Sequence, residues 1–371
     1  ILGNKFNGSR IRAKGLSSMS GQTVAIDARL VAGASTGDSS YWSGLIYGLE
    51  RIETTLRFLL FSNAPRPAGI PESERFQWIH LPAPHSRWWS WVAFPLRARK
   101  LGARAIHTQY NLSPLAGAYG ITTVHDVSFF IGPEWFQPKD RMLLQRMVPS
   151  SVRRAKRVIA VSHTCQGEIE RYIPEAKGKT RAIYNGLPPW VKRVDDPTPV
   201  LQRLGVEGRY LLTVGTRWPR KNMGLAVLAA GLAGQKLVVT GKAGWGDQPE
   251  GAHIQAVGYV SNDDLCALYS GAALYLAPSR HEGFGIPVIE AFACGCPVLC
   301  STGGALPEVA GDAAVVEPTW EAAHWGETIR ETLSNSSKIE GLRQRGLARV
   351  QQFDWVDSAR QTAEIYREVL D

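Results

Sequence analysis

Residues 280–297 read Arg-His-Glu-Gly-Phe-Gly-Ile-Pro-Val-Ile-Glu-Ala-Phe-Ala-Cys-Gly-Cys-Pro. Gly283, Gly285 and Pro287 forbid one continuous helix through both carboxylates of this run. Glu282 is therefore expected in a loop, while Pro287, at a first helical position, opens a short helix that carries Glu290 and ends at Gly295. A helix start behind a glycine-rich loop exposes free backbone N–H groups and the positive end of the helix dipole, which suits a phosphate or a sugar oxygen. Carboxylates facing a phosphate would repel it, so the two glutamates are expected to flank it and accept hydrogen bonds from hydroxyls at either end. A molecule with hydroxyls on both sides of a diphosphate is a nucleotide sugar. The competing reading is an ordinary surface loop and helix with exposed glutamates.

Outward from this run, short apolar segments alternate with helix-length ones. Thr23–Asp27, Leu56–Phe61, Phe76–Leu81, Ala105–Thr108, Ile121–His125 and Val158–Val161 are expected strands of a first unit. Tyr210–Val214, Lys236–Thr240, Ile254–Val257, Ala273–Leu276, Pro297–Cys300 and Ala313–Val316 are those of a second. Such alternation favours parallel sheets covered on both faces. Leu187-Pro-Pro, Asp195-Asp196-Pro197 and Pro199 read as a linker, and Val356–Leu370 as a closing amphipathic helix. The expected divisions are a leader at 1–20, a first Rossmann-like domain at 21–188, a second at 189–352 and the C-terminal helix at 353–371. The leader is polar, basic and rich in Gly and Ser, with Met19 a candidate natural start.

The chain of 371 residues carries a net charge of +9, unevenly spread. Up to residue 190 there are 25 Lys and Arg against 12 Asp and Glu, and beyond it 17 against 21. The basic first half points to an anionic partner surface, nucleic acid or a membrane leaflet. No run of eighteen apolar residues is present and the first twenty residues lack an apolar centre, so neither a spanning helix nor a signal peptide is expected. Cys165, Cys266, Cys294, Cys296 and Cys300 show no paired metal-ligand spacing, which argues for a reducing cytoplasm and small core residues.

Ligands of open parallel sheets collect beyond the carboxyl ends of strands, so polar residues just after apolar runs are site candidates. His125-Asp126 follows one strand: the imidazole can donate to a sugar hydroxyl, with Asp126 to orient it. Gly215-Thr-Arg217-Trp-Pro-Arg220-Lys221-Asn222 follows another, and fixed cations there suit a diphosphate, Arg217 in bidentate fashion and Lys221 as a point charge. Tyr259 and Val260 follow a third and could meet a base, against the alternative of core packing for Tyr259. Residues 87–100 combine Trp88, Trp89, Trp91 and Phe94 with Arg87, Arg97, Arg99 and Lys100, a mixture suited to an anionic headgroup region. The alternatives there are a nucleic-acid clamp or tryptophans buried beneath the domain.

In order, these motifs resemble the family-4 glycosyltransferases of the GT-B fold, across nearly all of residues 23–370. The paired glutamates Glu282 and Glu290 within Glu-Gly-Phe-Gly-Ile-Pro match most specifically, joined by Gly215, Arg217, Lys221 and Asn222, by His125-Asp126, by Asn185-Gly186 and by the closing helix. The resemblance implies two facing Rossmann-like domains, with donor in the second, acceptor in the first and the C-terminal helix crossing back. It implies retention of configuration with no metal and no cofactor beyond the donor. Glu290 would bind ribose and Glu282 the donor sugar, with Gly283, Phe284, Gly285 and Ile286 beside them. Arg217 and Lys221 would meet the diphosphate, with His125 catalytic and Asp126 on the acceptor side. Gly37 is the best match to the first-domain glycine loop, which here reads Ala34-Ser35-Thr36-Gly37. The wording of 283–291 and of Leu306-Pro-Glu-Val-Ala-Gly-Asp-Ala-Ala resembles bacterial mannosyltransferases of O-antigen and exopolysaccharide synthesis. That implies GDP-mannose, a glycan or polyprenyl-linked acceptor, and a cytoplasmic enzyme peripheral on the inner membrane face. Nucleic acid is not expected. A UDP-sugar donor, a sugar-nucleotide epimerase and a non-enzymatic nucleotide-sugar-binding scaffold are the alternatives.

Overall fold

The computed structural model describes residues 22–32, 37–83, 85–246 and 250–371. The expected leader and residues Ala34–Thr36 of the first glycine loop lie outside them. Two parallel sheets form the frame. The first contains β1 (Thr23–Asp27), β2 (Arg57–Ser62), β3 (Phe76–His80), β4 (Ala105–Gln109), β5 (Gly120–Val124), β6 (Arg157–Ala160) and β7 (Thr180–Ala182), in the order β3-β2-β1-β4-β5-β6-β7. The second contains β8 (Tyr210–Val214), β9 (Lys236–Thr240), β10 (Ile254–Gly258), β11 (Leu274–Ala277), β12 (Val298–Ser301) and β13 (Val315–Glu317), in the order β10-β9-β8-β11-β12-β13. In both, the strand order reverses beside the first strand, and that is where a crevice opens beyond the carboxyl ends. β7, a short polar edge strand reading Thr-Arg-Ala, has no counterpart among the expected strands.

The helices of the first unit are α1 (Gly37–Arg51), α2 (Ser86–Trp88), α3 (Phe94–Lys100), α4 (Ser128–Ile131), α5 (Pro138–Arg154) and α6 (His163–Tyr172). Those of the second are α7 (Thr198–Arg203), α8 (Met223–Leu232), α9 (Asn262–Gly271), α10 (Ile286–Ala293), α11 (Leu306–Ala310), α12 (Ala322–Ser334) and α13 (Ser336–Arg349). Among the described residues none is long and apolar enough to cross a membrane. The chain ends in α14 (Trp355–Leu370), which leaves the second unit and packs on α1 of the first. Asp354 caps it, accepting from Val356 N at 2.8 Å. At its other end Arg104 and Lys156 donate to the carbonyls of Leu370 and Val369 at 2.9 and 3.1 Å, placing cations at the negative end of the helix dipole.

The structure corrects one expectation about residues 87–100. A π-helical turn, Trp89–Ala93, joins α2 to α3 and turns Trp89 inward. Trp89 is 1% exposed, stacks on Phe94 with centroids 4.9 Å apart and donates Nε1–H to Leu81 O at 2.6 Å. It belongs to the core and cannot dock on a surface, whereas Trp88 is 52% exposed.

α14 approaches α1 closely because α1 offers glycine there. A Cβ on Gly48 would lie 2.1 Å from Trp355 O, a backbone atom that cannot rotate away. Glycine to alanine in a helix ordinarily stabilises by about 0.5–1 kcal/mol, but overpacking costs about 1–3 kcal/mol. Gly48→Ala is therefore expected to destabilise, seen as a lower denaturation midpoint; an equal or higher midpoint would contradict this helix contact.

Candidate active site

The site grows from the carboxyl ends of β8 and β11, neighbours at the point where the second sheet's order reverses. After β8 the chain passes Gly215 and a 3-10 turn, Pro219–Lys221, before α8. After β11 it passes Ser279–Gly285 and enters α10, with Pro287 in its first turn and Glu290 one turn on. The helix stops where Gly295 N donates to Phe292 O at 3.0 Å.

These two loops bind each other through charge. Lys221 Nζ lies 2.6 Å from Glu282 Oε1 and Arg220 Nη1 lies 3.1 Å from Glu282 Oε2. Arg220 also donates to His281 O at 2.8 Å and faces Asp126 of the first domain at 4.0 Å. Burial alone would raise the Glu282 pKa, but Lys221 and Arg220 outweigh it and hold the carboxyl at about 2. Asp126 is likewise pushed up by burial and brought below its usual value by Arg220, His281 and Ser128. Its Oδ1 accepts from Ser128 N and Oγ at 2.9 and 2.5 Å, so its oxygens serve the Ser128 turn and Arg220.

Glu290 is in the opposite condition. It is 6% exposed and accepts from Tyr269 Oη at 3.1 Å. Burial dominates and raises it to about 7, with Tyr269 opposing.

Both glutamates border a cavity of ≈ 560 Å³ between the two sheets. Gly215, Lys221, Tyr259, Val260, Gly283, Phe284, Gly285 and Ile286 border it with them, and His125 and Asp126 face them from the first domain. Gly283 lies so close to that domain that a Cβ would stand 1.7 Å from His125 O, and its own carbonyl accepts from Ser162 Oγ at 2.7 Å. The ring of Phe284 packs on Tyr184 and Phe353, joining the domains. Tyr259 is 56% exposed, with Lys242 Nζ 5.1 Å from its ring centroid, so the core-packing alternative does not hold. Gly37 opens α1.

Arg217 departs from expectation: its neighbours Thr216 and Trp218 border the cavity and it does not, while Arg220 does. Three cations within five residues are visible in the sequence, but which of them turns inward depends on the 3-10 turn at Pro219. Tyr110, with φ at 57°, also borders the cavity, and nothing in its sequence context signals it. Glu308 of α11, equally unannounced, accepts from His163 N, Thr164 N and Thr164 Oγ1 at the start of α6 at 2.8, 2.7 and 2.5 Å. His281 Nε2 meets Glu168 of α6 at 2.9 Å. Among the described residues no group of three His, Cys, Asp or Glu stands together to hold a metal ion, and the five cysteines are buried and free.

Two Rossmann-like domains facing across a cleft, with paired glutamates and neighbouring cations in the second, define a two-domain glycosyltransferase architecture. Residues 53–190 match the family described as Glycosyltransferase Family 4, and residues 203–349 that described as Glycosyl transferases group 1. O-antigen chain mannosyltransferase B of Escherichia coli is 33% identical over 267 residues, covering 67% of this chain and 70% of that one. Sucrose-phosphate synthase from Thermosynechococcus elongatus shares the fold with TM-score 0.72 at 21% identity, covering 94% and 99% of the two chains. So does an Anabaena protein solved with UDP-glucose, with TM-score 0.68, 19% identity and coverage of 94% and 99%. The chain belongs to the family-4 glycosyltransferases of the GT-B fold and is a hexosyltransferase.

Glu290 gives the site a pH signature. Its carboxyl titrates near its ordinary value when unfolded and at about 7 when folded, so its contribution to stability is full below pH 4.5 and is lost as pH rises to 7. Glu290→Gln, which stays neutral, should gain on the wild type through that window by on the order of 3 kcal/mol. Chemical denaturation at pH 5 and pH 8 measures the gap; the same gap at both would refute the assignment.

Proposed function

We propose that this enzyme transfers mannose from GDP-mannose, with retention of configuration and without a metal, to a glycan or polyprenyl-linked acceptor in bacterial polysaccharide synthesis. The observation that carries the reading is the wall formed by Glu282, Lys221, Arg220 and Glu290, with His125 opposite. Lys221 and Arg220 bring two fixed positive charges to a low-exposure cleft, where they suit the charge that grows on a departing nucleoside diphosphate. Glu290, next to Tyr269, accepts from ribose hydroxyls, and Glu282 from the hydroxyls of the donor sugar. In the transfer the anomeric C–O bond to the diphosphate breaks, a C–O bond to the acceptor forms, and the acceptor proton leaves with the diphosphate. The name of the Escherichia coli relative, an O-antigen chain mannosyltransferase, supports mannose and a polysaccharide product. The Anabaena neighbour, solved with UDP-glucose, supports the nucleotide-sugar class.

Thermal-shift screening across nucleotides and nucleotide sugars tests the donor, since a ligand bound only by the folded state raises the melting temperature. GDP and GDP-mannose are expected to give the largest shifts. Lys221→Ala and Arg220→Ala should each lower transfer by about 100-fold or more, as loss of a group aimed at developing charge does elsewhere, and Glu290→Ala should lower it by removing the acceptor for the ribose hydroxyls. Arg217→Ala should lower it less than Arg220→Ala. Near-normal turnover in the Lys221 and Glu290 variants, or conversion of donor with no acceptor present, would overturn the reading.

A polyprenyl-linked acceptor would bring the enzyme to a membrane surface. Trp88 and Leu96 are 52% and 49% exposed on α2 and α3, beside exposed Arg97, Arg99 and Lys100, with Trp91 half-buried next to them. Leu115 and Tyr119, each 36% exposed, extend the patch on the adjoining turn. Aromatic and aliphatic side chains ringed by cations suit an anionic lipid surface, such as the inner face of a cell membrane. Replacing Trp88, Arg97, Arg99 and Lys100 by serine should lower binding to anionic vesicles while leaving the melting temperature near that of the wild type. Trp89→Ala should instead destabilise the fold, by about 3–5 kcal/mol. Unchanged vesicle binding in the fourfold variant would reject the surface.

A further inference from the structure

Beneath His125 the first domain holds a buried polar chain that does not line the cavity. His107 of β4 is 0% exposed. Its Nδ1 lies 2.7 Å from Tyr366 Oη of α14 and its Nε2 lies 2.8 Å from Thr123 Oγ1 of β5. Thr123 Oγ1 in turn lies 2.8 Å from Tyr41 Oη of α1. Tyr366, Thr123 and Tyr41 are 0%, 0% and 3% exposed. Four elements, α1, β4, β5 and α14, are thus joined by three hydrogen bonds of good length, in a place where apolar side chains would pack without any need for partners.

The chain ends against the site. The Tyr41 ring meets the His125 imidazole edge to face, with centroids 5.0 Å apart and planes at 86°. On another side it meets Trp355, the first residue of α14, at 5.8 Å. Thr123 lies in β5, and His125 is the first residue beyond the strand's end. α14 therefore bears on the support of His125 twice, through Trp355 directly and through Tyr366 by way of His107 and Thr123.

Nothing in the chain titrates under ordinary conditions. Burial, with His125 nearby, lowers His107 to about 3, and burial raises both tyrosines above their usual value. A neutral imidazole has one donor and one acceptor nitrogen, so the hydrogen bonds can all run in one sense along the chain. The chain orients groups and does not move protons.

We propose that Tyr366 and His107 are positioning residues for hexose transfer, holding Tyr41 through Thr123 so that His125 keeps its orientation only while the C-terminal helix is docked. The inference rests on the reading of His125 as a site residue. Tyr366→Phe and Tyr41→Phe each remove one hydroxyl and leave the ring. Each is expected to lower kcat about tenfold or more, since small misplacements of reacting groups are costly, while the donor KM and the nucleotide-induced thermal shift stay at wild-type values. The double variant should lose no more than the worse single one, because the two hydroxyls act in one chain. Tyr210→Phe, which removes a buried hydroxyl bonded to Leu268 O at 2.7 Å in the other domain, is the control for lost stability alone and should keep its kcat.

A second measurement is independent of transfer. The His125 ring-proton resonance, assigned with His125→Asn, should move in Tyr366→Phe although no bond of His125 itself is altered. If Tyr366→Phe does not fold, Tyr41→Phe takes its place in both measurements. Wild-type kcat in the folded variants, losses that simply multiply, or an unmoved His125 resonance would overturn the inference. A wild-type enzyme that transfers no hexose would instead overturn the proposed function, and the resonance would still decide the positioning chain.

Discussion

An ionised carboxylate that is only 9% exposed survives at Glu282 because two cations stand against it. Taking such a charge out of water costs several kcal/mol, which an ion pair offsets only with close geometry, and stranding one partner is far worse than never having the pair. This constraint reaches beyond the three side chains. Lys221 and Arg220 sit in the loop that follows β8, Glu282 in the loop that follows β11, and the two strands are neighbours in the second sheet. Neither loop can shift without separating charges in a poorly hydrated wall. The fold thus fixes its most mobile kind of element, the strand-to-helix connection, at the place where a ligand would meet it.

The same principle holds at the junction of the domains, where polar contacts with demanding geometry line the cleft. Both carboxylate oxygens of Glu308 meet the start of α6, where unpaired N–H groups and the helix dipole favour an anion. His281 meets Glu168, Ser162 meets the carbonyl of Gly283, and Arg220 faces Asp126. Directional contacts of this kind hold one relative placement of two domains and are lost together when it changes. Tyr184, Phe284 and Phe353 add an aromatic hub, so the loop carrying Glu282 is tied to the first domain by its backbone and by its neighbour's ring.

The frame was legible because most strands are buried on both faces and read as unbroken apolar runs. β1, β8 and β9 lie at the residues their sequence marks, Thr23–Asp27, Tyr210–Val214 and Lys236–Thr240. β7 escaped notice because three half-buried residues at a sheet edge, one of them arginine, carry no such pattern. The wall of the site was legible in the glutamates, whose spacing and glycines are local facts. Of its cations Lys221 was legible by position, while the arginine was not, because one 3-10 turn decides between Arg217 and Arg220. Trp88 and Trp89 are adjacent in sequence and opposite in fate for the same reason, since composition does not state which way a π-helical turn rotates. Glu308 and Tyr366 were beyond reach altogether, their partners lying 144 and 259 residues away.

Glu282 and Glu290 are the same residue type in one cavity wall, yet one is held at about 2 and the other lifted to about 7. The difference comes from neighbours and not from depth, since both are nearly covered. Glu282 has two cations; Glu290 has a phenol. On the proposed reading this polarity matches a ligand whose charge lies in its middle. A diphosphate would compete with Glu282 for Lys221 and Arg220, which loosens that carboxylate toward the hydroxyls of the adjoining sugar. At the other end a ribose donating two hydroxyls would favour the ionised form of Glu290, so that binding and proton release at this residue are linked. Two neutral, hydroxyl-bearing ends and one anionic centre are what a wall charged in this way can distinguish from a free phosphate or a free sugar.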